Sequence, residues 1–180
     1  MTIPRIVGIT GRATAGKDTV ANILSEEFGY ARYSWADPLK KMAYTLNPRI
    51  WMWRRLQHYV DKLGWDEAKK IPKVRKFLQF VGTECVRDCV HPDTWVWAGG
   101  QAMKYRLNVI PDCRFLNEAN WVKGAGGILL LVRRPGVGSV NNHVSDAGLI
   151  DHLADYVIDN DGTIESLRSK VLGVFDDYPY

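Results

Sequence analysis

The sequence predicts a three-layer α/β fold, with helices packed on both faces of a central, mostly parallel five-stranded sheet. Three observations carry this. Short apolar runs alternate with segments of helical period along the chain. A Gly-rich turn joins the first strand to the first helix. The run from Gly127 to Arg133 is apolar at consecutive positions, as a strand buried on both faces requires. The 180 residues suit one domain spanning 1–180, and 46% hydrophobic with 24% charged residues is enough to bury a core. No internal repeat, low-complexity tract or block of like charge marks a linker.

Taken in order, Arg5 to Ile9 is the first strand, and a helix follows the turn with Val20, Ile23, Leu24 and Phe28 on one face and Gly29 as its left-handed stop. Tyr30 to Trp35 is the second strand. Asp37 as N-cap and Pro38 at the first helical position open a helix that Asn47-Pro48 ends. Arg49 to Lys70, rich in Trp, Arg and Lys, reads as helical with irregular ends. Pro72 starts a helix with Val74, Phe77, Leu78, Val81 and Cys85 on one face, and Asp93 or Thr94 caps the next, over Trp95 to Tyr105. Leu107 to Ile110, Gly127 to Arg133 and Asp155 to Ile158 complete the strands, and Ile164, Leu167, Val171, Val174 and Phe175 mark a terminal helix.

Composition narrows the function classes. The 24 Lys and Arg against 20 Asp and Glu give a net charge of +4, which suits anionic small molecules and is too mild to call for a stable nucleic-acid partner. The apolar stretch from Gly126 to Val132 is far short of the ~20 residues that cross a bilayer, and Met1 to Arg5 lacks a secretory apolar region. The expectation is a cytoplasmic protein without a membrane partner. Cys85, Cys89 and Cys113 have neither the pairing of a disulfide framework nor the spacing of a zinc site.

The motif that carries chemistry is Gly8 to Thr19, which contains the G-x-x-x-x-G-K spacing of a Walker A loop between a strand and a helix. Gly11 and Gly16 let the backbone bend so that successive N–H groups point into one concavity, and the helix N-terminus adds about half a positive charge. Gly11, Arg12, Ala13, Thr14, Ala15, Gly16, Lys17, Asp18 and Thr19 are therefore the candidate nucleotide-binding residues, with Lys17 reaching the β and γ phosphates. Asp18 stands where a hydroxyl usually follows the lysine, which makes Thr19 the metal-side hydroxyl. Asp18 is either a metal ligand through water or a first-turn acid that favours the helix dipole.

A phosphotransferase also needs an anion site for its acceptor, and arginine is the expected tool. Arg75, Gln79, Thr83 and Arg87 follow at intervals of four on the Pro72 helix, either lining a cleft or forming a solvated face. Gly82 in that helix suggests close approach of a ligand or of another backbone. Asp112 and Arg114 follow an apolar strand and would sit where open α/β sheets bind ligands. Asp112 is a candidate for magnesium through water or for orienting the acceptor; an Asp–Arg pair at a helix cap is the alternative. Asp37 is an N-cap, an acceptor ligand or a base. Arg133 and Arg134 lead into Pro135-Gly136-Val137-Gly138-Ser139 and on to His143, which reads as a lid over about 134–150 with arginines for charge on the transferring group. Asn160 and Gly162, after the last strand, fall near an adenine or form a capping turn.

These residues resemble the deoxynucleoside monophosphate kinases of tailed bacteriophages, within the P-loop nucleoside monophosphate kinase superfamily. The resemblance rests on Ile9 to Thr19, Tyr33-Ser34-Trp35-Ala36-Asp37-Pro38-Leu39-Lys40, Leu78-Gln79 with Gly82-Thr83-Glu84 and Arg87, Pro92-Asp93-Thr94-Trp95, Pro111 to Glu118, and His143-Val144-Ser145-Asp146. It implies a P-loop kinase fold with a helical acceptor-binding region over about 36–105. It also implies transfer of the ATP γ-phosphate, with magnesium, to a deoxynucleoside monophosphate, supplying precursors for DNA in the host cytoplasm if the chain is viral. Lys17, Arg114, Arg133, Arg134 and Asp37 are then the candidate catalytic residues. Ser34, Asp37, Lys40, Arg75, Gln79, Thr83, Arg87, Trp95, Asp112 and Arg114 are the acceptor candidates, and Thr19 and Asp112 serve the metal. Asp146 stands where the family pattern has Glu, and Trp35 where it has Phe. A homodimer is the state the resemblance implies, with no interface legible in the residues. Two alternatives remain open: a small P-loop kinase resembling dephospho-coenzyme A kinase, and a nucleic-acid-associated P-loop ATPase.

Overall fold

A computed structural model describes residues 3–103, 106–136 and 150–176. The chain divides into two compact units, one of Met1–Ser34 with Ala102–Tyr180 and one of Trp35–Gln101.

The first unit is built on β1 (Ile6–Thr10), whose five residues are all buried, as their unbroken apolar run requires. The helix α1 (Lys17–Phe28) follows, then β2 (Ala31–Arg32), and after the second unit β5 (Asn108–Ile110), α6 (Leu116–Gly124), β6 (Ile128–Arg133), β7 (Tyr156–Asp159) and α7 (Ile164–Asp176). The strands form one sheet in the order β2-β5-β1-β6-β7, and each adjacent pair is parallel. The centre of the sheet is β1, with Val7 opposite Val109 on one side and Ile128 on the other. The strand order therefore reverses beside β1, which is where doubly wound sheets open a crevice at their carboxyl ends. One face of the sheet is closed by α1 and α7: Ile23 and Leu24 join Val7, Ile9, Leu130, Ile158, Leu167, Val171 and Phe175 in a single core.

The second strand is shorter than its apolar pattern predicts. Pairing ends at Arg32, although the Tyr33 N–H still donates to the Val109 carbonyl at 2.9 Å. Tyr30 instead turns into the core, where its hydroxyl donates to the Pro4 carbonyl.

The second unit starts with α2 (Asp37–Leu46). Its N-cap is Ala36, so the expected cap at Asp37 shifts by one: Asp37 is the first helical residue and its carboxylate accepts from Lys40 Nζ at 2.8 Å. The stretch expected to be helical from Arg49 begins as a hairpin, β3 (Arg49–Trp51) with β4 (Arg54–Arg55). The helix α3 (Leu56–Ala68) follows and breaks at Gly64, whose φ of 73° and ψ of 167° are not helical. Alternating buried Ile50 between exposed Arg49 and Trp51 is strand period, which the density of Trp and Arg obscures. Next come α4 (Pro72–Gln79), a π-helical continuation over Phe80–Asp88, and α5 (Thr94–Ala102). Val74, Leu78, Ile50, Leu56 and Val60 close this unit's own core.

Leu130 is fully buried in the middle of β6. Leu130→Ala should lower the unfolding free energy by about 2–5 kcal/mol in urea titrations followed by circular dichroism; a loss well under 1 kcal/mol would contradict its place in the core.

Candidate phosphate-binding site

The site grows from the end of β1. Gly11 adopts φ 131°, and a Cβ there would lie 2.2 Å from the Val132 carbonyl oxygen of β6. Gly16 adopts φ 104°, and its Cβ would lie 2.4 Å from Asn160 Nδ2, just past β7. Positive φ favours glycine at both positions, and at Gly11 the β6 backbone also leaves no space for a side chain. Between them the Ala15 N–H donates to the Arg12 carbonyl at 3.2 Å, and the Asn160 amide donates to the Ala15 carbonyl at 2.8 Å. The loop is thus pinned by β6 on one side and by Asn160 on the other. Lys17, the first residue of α1, folds back so that Nζ donates to the carbonyls of Gly11 and Arg12, each at 2.7 Å. No side chain caps α1 at Gly16, so its first-turn N–H groups remain suited to an anion.

Thr19 is half-buried in that first turn. Asp18 is exposed and pairs with Arg32 of β2, whose guanidinium also reaches Asn22. This contact favours the role of a first-turn acid, and such a surface pair contributes little to stability.

The carboxyl ends of the neighbouring strands supply the rest. The Cys113 N–H donates to the Ile9 carbonyl at 3.2 Å, which seats Asp112 beside the start of the loop. The Asp112 carboxylate accepts from Ser34 Oγ at 2.5 Å, so the residues following β2 and β5 are joined. Arg114 presents an exposed side chain, but its backbone is fixed: Glu118 Oε2 accepts from the N–H groups of Arg114 at 2.8 Å and Phe115 at 3.1 Å. Glu118 is only 2% exposed, and sequence reasoning assigned it no role of its own. Its signal was the acidic residue three places after the β-region Phe115, the spacing of an N-terminal cap. Arg133 ends β6 one residue beyond the carbonyl that meets Gly11, and its own carbonyl accepts from the Asn160 N–H at 2.7 Å. Arg134 follows, exposed. Beside Gly162, the Asp161 carboxyl is held below its ordinary range chiefly by a hydrogen bond from Lys170, at 2.5 Å. The lid expected over about 134–150, with His143 and Asp146, lies outside the described residues from 137 to 149.

The second unit carries Asp37, Lys40, Arg75, Gln79, Thr83, Arg87 and Trp95. Four residues overshoot an α-helical turn by about 40°; in a π-helix, with bonds from i to i+5 and roughly 4.4 residues per turn, they fall short by about 30°. The change of helix type at Phe80 makes the two drifts oppose each other. Arg75, Gln79, Thr83 and Arg87 then spread over about 65°, where an α-helix throughout would spread them over about 120°. Burial follows the same period: Val74, Leu78, Gly82 and Val86 are buried, while Arg75, Gln79 and Thr83 are exposed and Arg87 is half-buried. Gly82 is explained by packing rather than by a ligand. Its Cβ would lie 2.8 Å from Leu39 Cδ2, and its carbonyl accepts from Trp95 Nε1 at 2.9 Å. Trp95, 4% exposed, is accordingly a core residue whose indole N–H supports the π-helix.

Comparison with known proteins agrees with this geometry. The family described as deoxynucleotide monophosphate kinase matches residues 52–171, a span that leaves out the loop itself. A protein of Acanthamoeba polyphaga mimivirus, which carries the name deoxynucleotide monophosphate kinase provisionally, is 32% identical over 95% of this chain and 96% of its own length. The deoxynucleotide monophosphate kinase of Enterobacteria phage T4 is 32% identical over 54% of this chain, a match that spans 43% of the phage protein. Among solved structures, dephospho-CoA kinase from Campylobacter jejuni aligns over 96% of both chains with a TM-score of 0.51 at 12% identity. A Thermus thermophilus protein aligns over 99% of this chain and 100% of its own, with a TM-score of 0.52 at 21% identity. At those identities the structures show a shared fold and nothing finer. The matched span and the near full-length viral relative together place this chain in the deoxynucleotide monophosphate kinase family.

Proposed function

We propose that this protein transfers the γ-phosphoryl group of ATP to a deoxynucleoside 5′-monophosphate. The observation that carries the reading is the pinned loop of Gly11 to Lys17, with glycines at positive φ and no room for a side chain at Gly11, in a chain of this family. Loop N–H groups and the first turn of α1 bind the ATP phosphates, and Lys17 exchanges its two carbonyl partners for the β and γ oxygens. Arg12, Ala13, Thr14, Ala15 and Asp18 shape the loop around them, and Asn160 holds it from behind. Arg75, Gln79, Thr83 and Arg87 bind the monophosphate and its base, with Asp37, Lys40 and Ser34 in support.

An oxygen of the acceptor phosphate attacks the γ-phosphorus in line, the bond to the bridging oxygen breaks, and ADP departs with that oxygen. Transfer of this kind calls for positioning and charge more than for a strong base. Arg114, Arg133 and Arg134 supply positive charge to the equatorial oxygens, each at or just beyond the carboxyl end of a strand. Magnesium keeps several waters and takes one or two protein oxygens plus phosphates; Thr19 and Asp112 would hold it, and it would neutralise phosphate charge. Family membership favours a deoxynucleotide acceptor over dephospho-coenzyme A, whose kinase shares only the fold. No helix of the described residues is long and apolar enough to cross a membrane.

ADP release with Mg·ATP should be stimulated by at least one deoxynucleoside monophosphate, and Lys17→Ala should reduce that turnover by at least ~100-fold. Hydrolysis indifferent to every acceptor and stimulated by DNA would overturn the reading in favour of an ATPase.

Glu118 tests the positioning of Arg114. Glu118→Gln retains an oxygen for both N–H groups and should keep most of the kcat, whereas Glu118→Ala leaves them unpaired at about 1–3 kcal/mol and should lower kcat/KM about tenfold or more. Equal kinetics for the two variants would contradict the role.

A further inference from the structure

The hairpin β3–β4 has a buried base and an exposed tip. Ile50 and Leu56 anchor it in the core of the second unit. The Leu56 N–H donates to the Pro48 carbonyl at 2.9 Å, Arg55 donates to the Asn47 carbonyl at 3.1 Å, and Asn47 and Gln57 are joined by a pair of hydrogen bonds, each 2.9 Å. On this base the tip displays Trp51, Met52 and Trp53, at 56%, 59% and 79% exposure. Large aromatic side chains so exposed on a hydrogen-bonded support are a recognition feature rather than a packing residue of the unit.

The charged residues of the hairpin itself are all cations. Arg49, Arg54 and Arg55 are exposed and make no ion pair among the described residues, and Lys73 Nζ sits 4.4 Å from the centroid of the Trp51 ring. No Asp or Glu occurs between Asp37 and Asp61. A symmetric contact with a second copy would bring two such cationic tips into one interface, which like-charge repulsion opposes. The complementary partner is anionic and offers flat π faces. Guanidinium forks match phosphate, and indoles stack on bases without regard to sequence.

We propose that the Trp51-Met52-Trp53 hairpin is a docking surface for single-stranded DNA. The mild net charge of the whole chain does not count against it, because the cations that matter are gathered at one exposed tip. Trp51 and Trp53 are not among the residues assigned to phosphoryl transfer, so the proposal is tested apart from that assignment.

The test is fluorescence anisotropy of a labelled oligothymidylate titrated with the full chain, beside duplex DNA, heparin and phosphatidylserine vesicles, with sedimentation to record the oligomeric state. Binding to the single strand should exceed binding to duplex and heparin, and its logarithm should fall with log salt at a slope of about −2 to −3, for three or four phosphate contacts. Trp51→Ala with Trp53→Ala should weaken it by about tenfold or more while leaving deoxynucleotide-stimulated ADP release unchanged. Several results would overturn the proposal: no binding near 100 μM protein (roughly the weak end of non-specific affinity), binding that survives the double variant, equal affinity for heparin, or preference for the vesicles. Self-association that the double variant abolishes, without oligonucleotide binding, would reassign the tip as a contact between copies.

Discussion

The candidate site depends on one steric constraint: the loop after β1 runs so close to the backbone of β6 that it admits no side chain at Gly11, and it turns through positive φ at both Gly11 and Gly16. A carbonyl from β6 and an amide from the residue after β7 set the shape of the loop before any phosphate arrives. Because all five strands of this sheet are parallel, the residues that follow β2, β5, β6 and β7 emerge at the same edge as the loop. Ser34, Asp112, Arg133 and Asn160 reach the candidate site by this route, Asp112 and Arg133 from the buried strands β5 and β6. The sheet is thus both the hydrophobic foundation and the positioning device.

The two units recruit cations differently. In the first, the arginines follow strand ends, and backbone contacts fix two of them: Glu118 accepts from the Arg114 N–H, and the Arg133 carbonyl accepts from the Asn160 N–H. In the second, Arg75 and Arg87 lie along a helix whose conformation changes from α to π. That change partly offsets the angular drift of a four-residue spacing and keeps the stripe from Arg75 to Arg87 within about 65°. Leu39 against Gly82, and Trp95 bonded to the Gly82 carbonyl, supply the local packing that accompanies it.

What was legible in the residues and what was not follows from the range of the forces. The strand β1, the loop and β6 were readable because burial on both faces and a fixed glycine spacing leave unbroken local patterns. The helices α1 and α7 likewise show their apolar faces at helical period. The hairpin was hidden, since strand alternation over three residues is too short to stand out among Trp and Arg. The π-helix was hidden as well, because residues spaced by four fit either helix type until the buried line of Val74, Leu78, Gly82 and Val86 is seen. Asp37 was placed one residue early in the cap because Pro38 is compatible with the first or the second helical position. Glu118 and Asn160 owe their roles to partners in the loops beside them, Asn160 to one 145 residues away in the chain.

The measurement that tests the central claim most directly is calorimetric titration of Mg·ATP into the protein and into Gly11→Ala, with circular dichroism as the check on folding. The account predicts one ATP per chain and an affinity at least about tenfold lower in the variant, because a Cβ at positive φ is strained by about 1–2 kcal/mol and would also press on the Val132 carbonyl. Equal affinity in a folded variant would contradict the claim that this steric constraint builds the phosphate site.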